Sequence, residues 1–125
     1  MFQMAKTILI VDDSASLRQV VRMTLAGAGY EVLEAANGQE ALDVLDGRKV
    51  HLIVSDVNMP LMDGIALLRN IKVHPNYKFT PVIMLTTESS EEKKQEGKAA
   101  GAKAWVVKPF QPPVLLTAVS KLILP

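Results

Sequence analysis

A few residues in this chain are of types that could do chemistry together. Asp12 and Asp13 are adjacent, Asp56 stands two residues before Asn58, Thr86 leads Thr87 and Glu88, and Lys108 precedes Pro109. Three carboxylates gathered at one place need a physical reason, since each like-charged pair at ~4 Å and an effective dielectric of ~20 costs about 4 kcal/mol. A divalent cation would relieve the repulsion. An all-oxygen donor set with few protein ligands suits magnesium, which keeps several waters and often shares its shell with a phosphate. A carboxylate can also attack phosphorus to give an aspartyl phosphate. Phosphoryl transfer then chiefly requires positioning and charge neutralisation. Lys108 offers a point charge for this, and the Thr86 hydroxyl offers a hydrogen bond.

These residues matter only if the fold brings them together. Thr7 to Val11 is nearly all apolar and β-branched, as in a strand buried on both faces. Asp13 or Ser14 can cap the helix that follows, whose apolar positions Leu17, Val20, Val21 and Leu25 have helical spacing and which Gly27 and Gly29 stop. Glu31 to Ala35 reads as a second strand, and Asn37 with Glu40 as a capping box for a helix ending near Gly47. His51 to Ser55 is a third strand, and Asp63-Gly64 opens the helix carrying Ile65, Leu68 and Ile71. Pro81 to Thr86 is a fourth strand, and Ser89 with Glu92 reads as a second capping box, for a helix ending near Gly101. Ala104 to Val107 is a fifth strand, and Val114 to Leu124 a last amphipathic helix. Strand then helix, repeated, predicts an α/β fold with a parallel sheet covered on both faces. In such sheets ligands lie beyond the carboxyl ends of the strands. Every strand but the second delivers polar residues there. The second ends in Ala35-Ala36, which places it at the sheet's border.

Each residue also has a plainer reading. Alone, Asp13 reads best as a helix cap, Asp56 as a turn residue before Pro60, Thr86 as an ordinary strand residue and Lys108 as a surface lysine. Asp63 does read as a cap. Their convergence on one sheet edge, in this chain order, outweighs the separate readings. His51 and His74 lack partners at metal-ligand spacing. Gly27-Ala28-Gly29 ends a helix instead of opening one, so it is no dinucleotide loop. The mixed charges from Glu91 to Lys98 read as a solvated helix face.

Composition bounds the rest. A chain of 125 residues, 49% hydrophobic and 22% charged, fits one globular domain over 1–125. A formal net charge of +1 gives no field that would imply a nucleic-acid or membrane partner. The absence of cysteine excludes disulfides and thiolate metal sites. No apolar run approaches the ~20 residues that cross a bilayer, and Met1-Phe2-Gln3-Met4-Ala5-Lys6 lacks the features of a signal peptide. A cytoplasmic protein is expected, with Met1 to Gln3 a loose end and Met4 an alternative start.

Ile10-Val11-Asp12-Asp13-Ser14, Ser55-Asp56-Val57-Asn58-Met59-Pro60-Leu61-Met62-Asp63-Gly64 and Val106-Val107-Lys108-Pro109-Phe110 together resemble receiver domains of two-component response regulators. Among these, the chain is most similar to stand-alone chemotaxis regulators of the CheY type. The resemblance runs from about Lys6 to Leu124. It implies a flavodoxin-like (βα)5 fold with sheet order 2-1-3-4-5. It implies that Asp56 is the phosphoacceptor, that Asp13 and Asp56 ligate Mg2+ directly, Asn58 through its backbone carbonyl and Asp12 largely through water, and that Thr86 and Lys108 hold phosphoryl oxygens. Asn58 and Glu88 would tune dephosphorylation. Trp105 would be the switching aromatic in place of the commoner Tyr or Phe, and Thr87 is bulkier than the usual Ala. Lys94, Lys98, Lys103 and Trp105 would mark the output face, and the Lys108–Pro109 bond would be cis.

Only enough chain follows Lys108 for one helix, so output is expected through protein contact. The implied partners are a sensor histidine kinase or histidine phosphotransfer protein, an output protein such as a flagellar motor switch component, and a phosphatase, with the chain itself a monomer. Other readings are a phosphorelay intermediate, a haloacid-dehalogenase-like phosphohydrolase, and a constitutive scaffold. The hydrolase fits poorly, because those enzymes space two aspartates by one residue after the first strand, whereas Asp12 and Asp13 are adjacent.

Overall fold

The structure is a computed structural model and describes residues 5–123. The ends on which the start-site reading and Leu124 fall lie outside the described residues. Strands β1 (Thr7–Val11), β2 (Glu31–Ala35), β3 (Leu52–Ser55), β4 (Val82–Thr86) and β5 (Ala104–Val107) alternate with helices α1 (Ala15–Gly27), α2 (Gly38–Val44), α3 (Gly64–Lys72), α4 (Glu91–Ala99) and α5 (Pro112–Leu122). The strands form one sheet, paired in parallel in the order β2-β1-β3-β4-β5. The expected doubly wound order is therefore present, with the second strand, whose carboxyl end carries only Ala35 and Ala36, at the border.

Strand side chains alternate between two cores. Leu9, Val11, Ile53 and Met84 pack with Ala41 of α2 and Ile65, Leu68 and Ile71 of α3. Ile8, Ile10, Leu52, Val54, Ile83 and Leu85 pack on the other face with Val21 and Leu25 of α1 and Leu115 and Val119 of α5. Burial on both faces explains why these strands read as unbroken apolar runs. Helix α4 is different: among its residues only Gly97 is buried, which agrees with the solvated face read from its charges.

Several boundaries move for local reasons. Ser14, not Asp13, caps α1, its Oγ accepting from the Leu17 N–H at 3.3 Å. Ser90 rather than Ser89 caps α4, accepting from Lys93 N–H at 3.2 Å and itself donating to Glu88 Oε1 at 2.6 Å. Glu88 thus selects between two adjacent serines. Asn37 caps α2 as expected, but Glu40 reaches back to the Ala36 N–H at 3.1 Å. That helix stops at Val44, short of Gly47, whose positive φ of 108° belongs to a turn pinned by the Tyr77 hydroxyl. Helix α5 starts two residues early because prolines suit the first positions of a helix, where no N–H is needed.

The β3–α3 connection matters most for the site. Asp63 caps α3 by accepting from Ala66 N–H at 2.8 Å, and Leu61 takes a left-handed φ of 70°. Gly64 N–H donates to Val57 O at 2.8 Å. A Cβ on Gly64 would lie 1.9 Å from the Asp56 carbonyl oxygen, so only glycine lets the helix start lie against the Asp56 backbone. Gly64→Ala should lower stability by about 3 kcal/mol, at the upper end of the usual overpacking range. Urea unfolding measures this, and a loss below ~1 kcal/mol would mean that the Asp56 backbone yields easily.

Candidate functional site

Asp12 ends β1 and turns in towards β3. Its N–H donates to Ala35 O at 3.1 Å, its Oδ1 accepts from Ser14 N–H at 2.9 Å, and its carbonyl accepts from the Arg18 guanidinium. Arg18 is held by Glu34, which also pairs with Arg22. Asp56 ends β3 beside it. Its Oδ1 accepts from Val57 N–H at 2.7 Å and from Asn58 N–H at 3.4 Å. Both aspartates are buried, at 4% and 7% exposure, an expensive place for a carboxylate unless a cation meets it. Lys108, from the end of β5, supplies that cation: its Nζ lies 2.7 Å from Asp12 Oδ2 and 3.0 Å from Asp56 Oδ2. The Lys108–Pro109 bond is cis.

The sequence assigned relief of the carboxylate repulsion to a divalent cation and gave Lys108 a point charge for the phosphoryl group; in the structure the lysine itself pairs with the carboxylates. Lys108 neutralises two of the three, and Asp13, exposed and released from capping, is left without an ion pair among the described residues. One oxygen from each of Asp12, Asp13 and Asp56 lies within 4.8 Å of the others. Ligands of an octahedral ion at ~2.1 Å stand ~3 to ~4 Å apart. The cluster is close to the spacing that a divalent cation such as magnesium needs, and its hard oxygen donors are of the right kind.

Thr86 is fully buried at the end of β4, and its Oγ1 accepts from Glu88 N–H at 3.1 Å. Trp105, half-buried on β5, donates its indole N–H to the carbonyl of the same Glu88 at 3.0 Å. Thr86 and Trp105 therefore hold one residue from its two backbone sides. The Trp105 ring lies against α4, where a Cβ on Gly97 would come within 2.7 Å of Cζ3. The Glu88 carboxyl is held below its usual range chiefly by the Ser90 hydroxyl, against the opposing effect of burial and with a smaller contribution from the Asn58 side chain. Thr87 is exposed beside them.

Asp12, Asp13, Asp56, Asn58, Thr86, Glu88 and Lys108 lie at this edge, whereas Trp105 stands further back in β5 and reaches Glu88 only through its indole N–H. The sequence reading missed Arg18 and the close approach of Gly64. A cation one turn inside a helix N-terminus opposes the helix dipole, which could have flagged Arg18 as serving another partner. Glycine as the first residue of a helix, where better formers are available, could have flagged the contact with Asp56.

Lys108→Ala leaves two buried carboxylates facing each other. In metal-free buffer it should lose about 3–5 kcal/mol of stability, the range for breaking a buried pair. Millimolar magnesium should restore part of the loss, read as a rise in melting temperature larger than that of the unaltered chain. An equal rise in both would indicate that the cation and the lysine do not share these carboxylates.

The response regulator receiver domain family matches residues 8–120. The chemotaxis protein CheY1 of Helicobacter pylori strain J99 is 39% identical over 110 residues, covering 86% of this chain and 89% of that protein. The phosphate regulon transcriptional regulatory protein PhoB of Pseudomonas aeruginosa is 44% identical over 107 residues, 86% of this chain but 47% of that longer protein. The solved structure of the Vibrio cholerae chemotaxis protein CheY4 superposes with a TM-score of 0.90 at 50% identity, covering 95% of this chain and 99% of that one. With the sheet order, the carboxylate edge and these likenesses in agreement, the chain belongs to the receiver domain family of response regulators, whose members are phosphorylation-activated signalling proteins.

Proposed function

We propose that this chain is a single receiver domain in which Asp56 accepts a phosphoryl group from a histidine kinase or a histidine phosphotransfer protein. The observation that carries this reading is the bridging of Asp12 and Asp56 by Lys108 inside a cluster of carboxylate oxygens. An Asp56 carboxylate oxygen attacks phosphorus as the bond from phosphorus to the donor imidazole nitrogen breaks. The electron pair leaves with the imidazole, and an acyl phosphate forms. Asp13, Asp56 and the Asn58 backbone carbonyl would hold magnesium, with Asp12 contributing largely through water. When bound, the ion neutralises charge on the transferring group. Lys108 passes from the free carboxylates to the phosphoryl oxygens, and the Thr86 hydroxyl follows. Asn58 and Glu88 limit the approach of the hydrolytic water and so set the lifetime of the phosphate.

Output follows from the shared grip on Glu88. If the Thr86 hydroxyl turns to the phosphoryl group, it gives up a hydrogen bond worth about 0.5–1.5 kcal/mol, enough to shift a population by up to roughly tenfold. The Glu88 peptide then shifts, and with it the carbonyl that holds Trp105 beside Lys94, Lys98 and Lys103.

The chain reads as a cytoplasmic, monomeric messenger of chemotaxis or motor control, acting on a protein such as a motor switch component and answering to a phosphatase. The near-full-length match to the chemotaxis proteins supports this. The similar identity to the receiver portion of a transcriptional regulator keeps a phosphorelay role as the second reading. Neither role involves turnover of phosphomonoesters.

Acetyl phosphate with magnesium should add one phosphoryl group by intact mass, and Asp56→Asn should abolish the addition; full labelling of that variant would overturn the assignment. Trp105 is the only tryptophan, so beryllofluoride with magnesium should change its emission. Thr86→Ala should blunt that change while Asp56 still accepts phosphate. Constant emission alongside strengthened partner binding would place the output elsewhere.

A further inference from the structure

The near-zero total charge conceals a segregation that the topology exposes. In a parallel sheet all strand beginnings share one edge, opposite the edge that holds the carboxylates. Lysines stand just before four of the five strands: Lys6 before β1, Lys49 before β3, Lys78 before β4 and Lys103 before β5. Among the described residues, none of these lysines forms an ion pair, nor does Lys72.

Neighbouring groups register this uncompensated charge. The Lys72 ammonium is held below its usual range by burial and by Lys103, although it donates to the carbonyls of Lys78 and Thr80 at 3.5 and 3.3 Å. The His51 imidazole is likewise pushed down by burial and then by Lys6 and Lys49.

A groove of about 480 Å3 opens on this edge, lined by Lys49, His51, Pro75, Lys78, Phe79 and Pro81 among others. Its size falls within the usual range for sites that enclose a ligand. Phe79 is 87% exposed, with the Lys78 ammonium 5.2 Å from the centre of its ring. The groove wall is preformed, because the Tyr77 hydroxyl donates to Arg48 O at 2.7 Å and accepts from Gly47 N–H at 2.8 Å.

We propose that this groove docks an acidic polypeptide segment, with an apolar side chain seated against Phe79 and flanking carboxylates meeting Lys49 and Lys78. A flat polyanion or lipid surface would need only the lysine tips. A concave site with an exposed aromatic wall between cations matches a peptide that alternates acidic and apolar groups. The edge faces away from Asp56, so a partner held here leaves the phosphoacceptor open. Such docking is a tether that does not depend on phosphorylation.

The test uses the full chain and a fluorescein-labelled peptide, Asp-Glu-Asp-Leu-Phe-Glu-Asp-Glu, followed by anisotropy at low salt. Saturable binding is expected, with amide shifts confined to residues 47–51 and 75–81. Lys49→Glu with Lys78→Glu should weaken binding about tenfold or more, and Phe79→Ala should weaken it several-fold, with melting temperatures unchanged because all three side chains are exposed. Asp56→Asn should bind as the unaltered chain does. Failure of the unaltered chain to bind would overturn the proposal, as would equal binding by the charge-reversal variant. Full affinity for a peptide with Gly-Gly in place of Leu-Phe would reduce the groove to a charge effect and also overturn it. Binding to phosphatidylserine vesicles that is lost in the same variants, with the peptide ignored, would assign the edge to a membrane instead.

Discussion

Lys108 holds two buried carboxylates that would otherwise repel, and most of the structure serves to make that contact possible. From the end of β5 its ammonium reaches Asp56 at 3.0 Å past β4 and Asp12 at 2.7 Å past both β4 and β3. A buried ion pair gives back little more than its desolvation cost, so stability alone is a weak reason to keep one. Its value lies in holding the carboxylates charged and poised while leaving a cation that can move to an incoming anion. Parallel pairing in the order β2-β1-β3-β4-β5 puts the ends of β1, β3 and β5 close enough for this, and two apolar layers on either face fix their spacing.

Around that contact the backbone is held by small, specific devices. Gly64 allows α3 to begin against the Asp56 carbonyl, and the Arg18–Glu34 pair fixes the Asp12 carbonyl from the opposite side. On the third side, Thr86 and Trp105 divide the hydrogen-bonding groups of Glu88 between them. A change at the carboxylate edge is thereby linked to the surface of α4 and β5 through one peptide unit. That link joins a fully buried hydroxyl to a half-buried ring, and Gly97 lets the ring lie close to α4.

The same topology sorts charge. The ends of β1 and β3 carry acids and lysines stand before four of the five strands, so a chain of net charge +1 has one acidic cluster and one basic edge. The exclusion of anionic partners from net charge alone therefore does not extend to the basic edge, because a sum is blind to separation.

By itself, the sequence determined the alternation of strands and helices, the border strand whose end offers no polar group, and the candidate residues at the other strand ends. Apolar runs buried on both faces and helical apolar spacing are local signals that survive without knowledge of the fold. It left open which of two neighbours capped a helix, Asp13 or Ser14, and favoured Ser89 over Ser90, because such pairs are chemically equivalent until a distant group such as Glu88 selects one. Only the tertiary structure decided that Lys108 neutralises Asp12 and Asp56 while leaving Asp13 free. It also decided that Gly64 must be glycine, that Thr86 and Trp105 meet on Glu88, and that four lysines scattered from position 6 to position 103 share one edge. Each of these is a contact or proximity between segments far apart in the chain, and the spacing of residues in a sequence carries no direct record of which segments the sheet will place side by side.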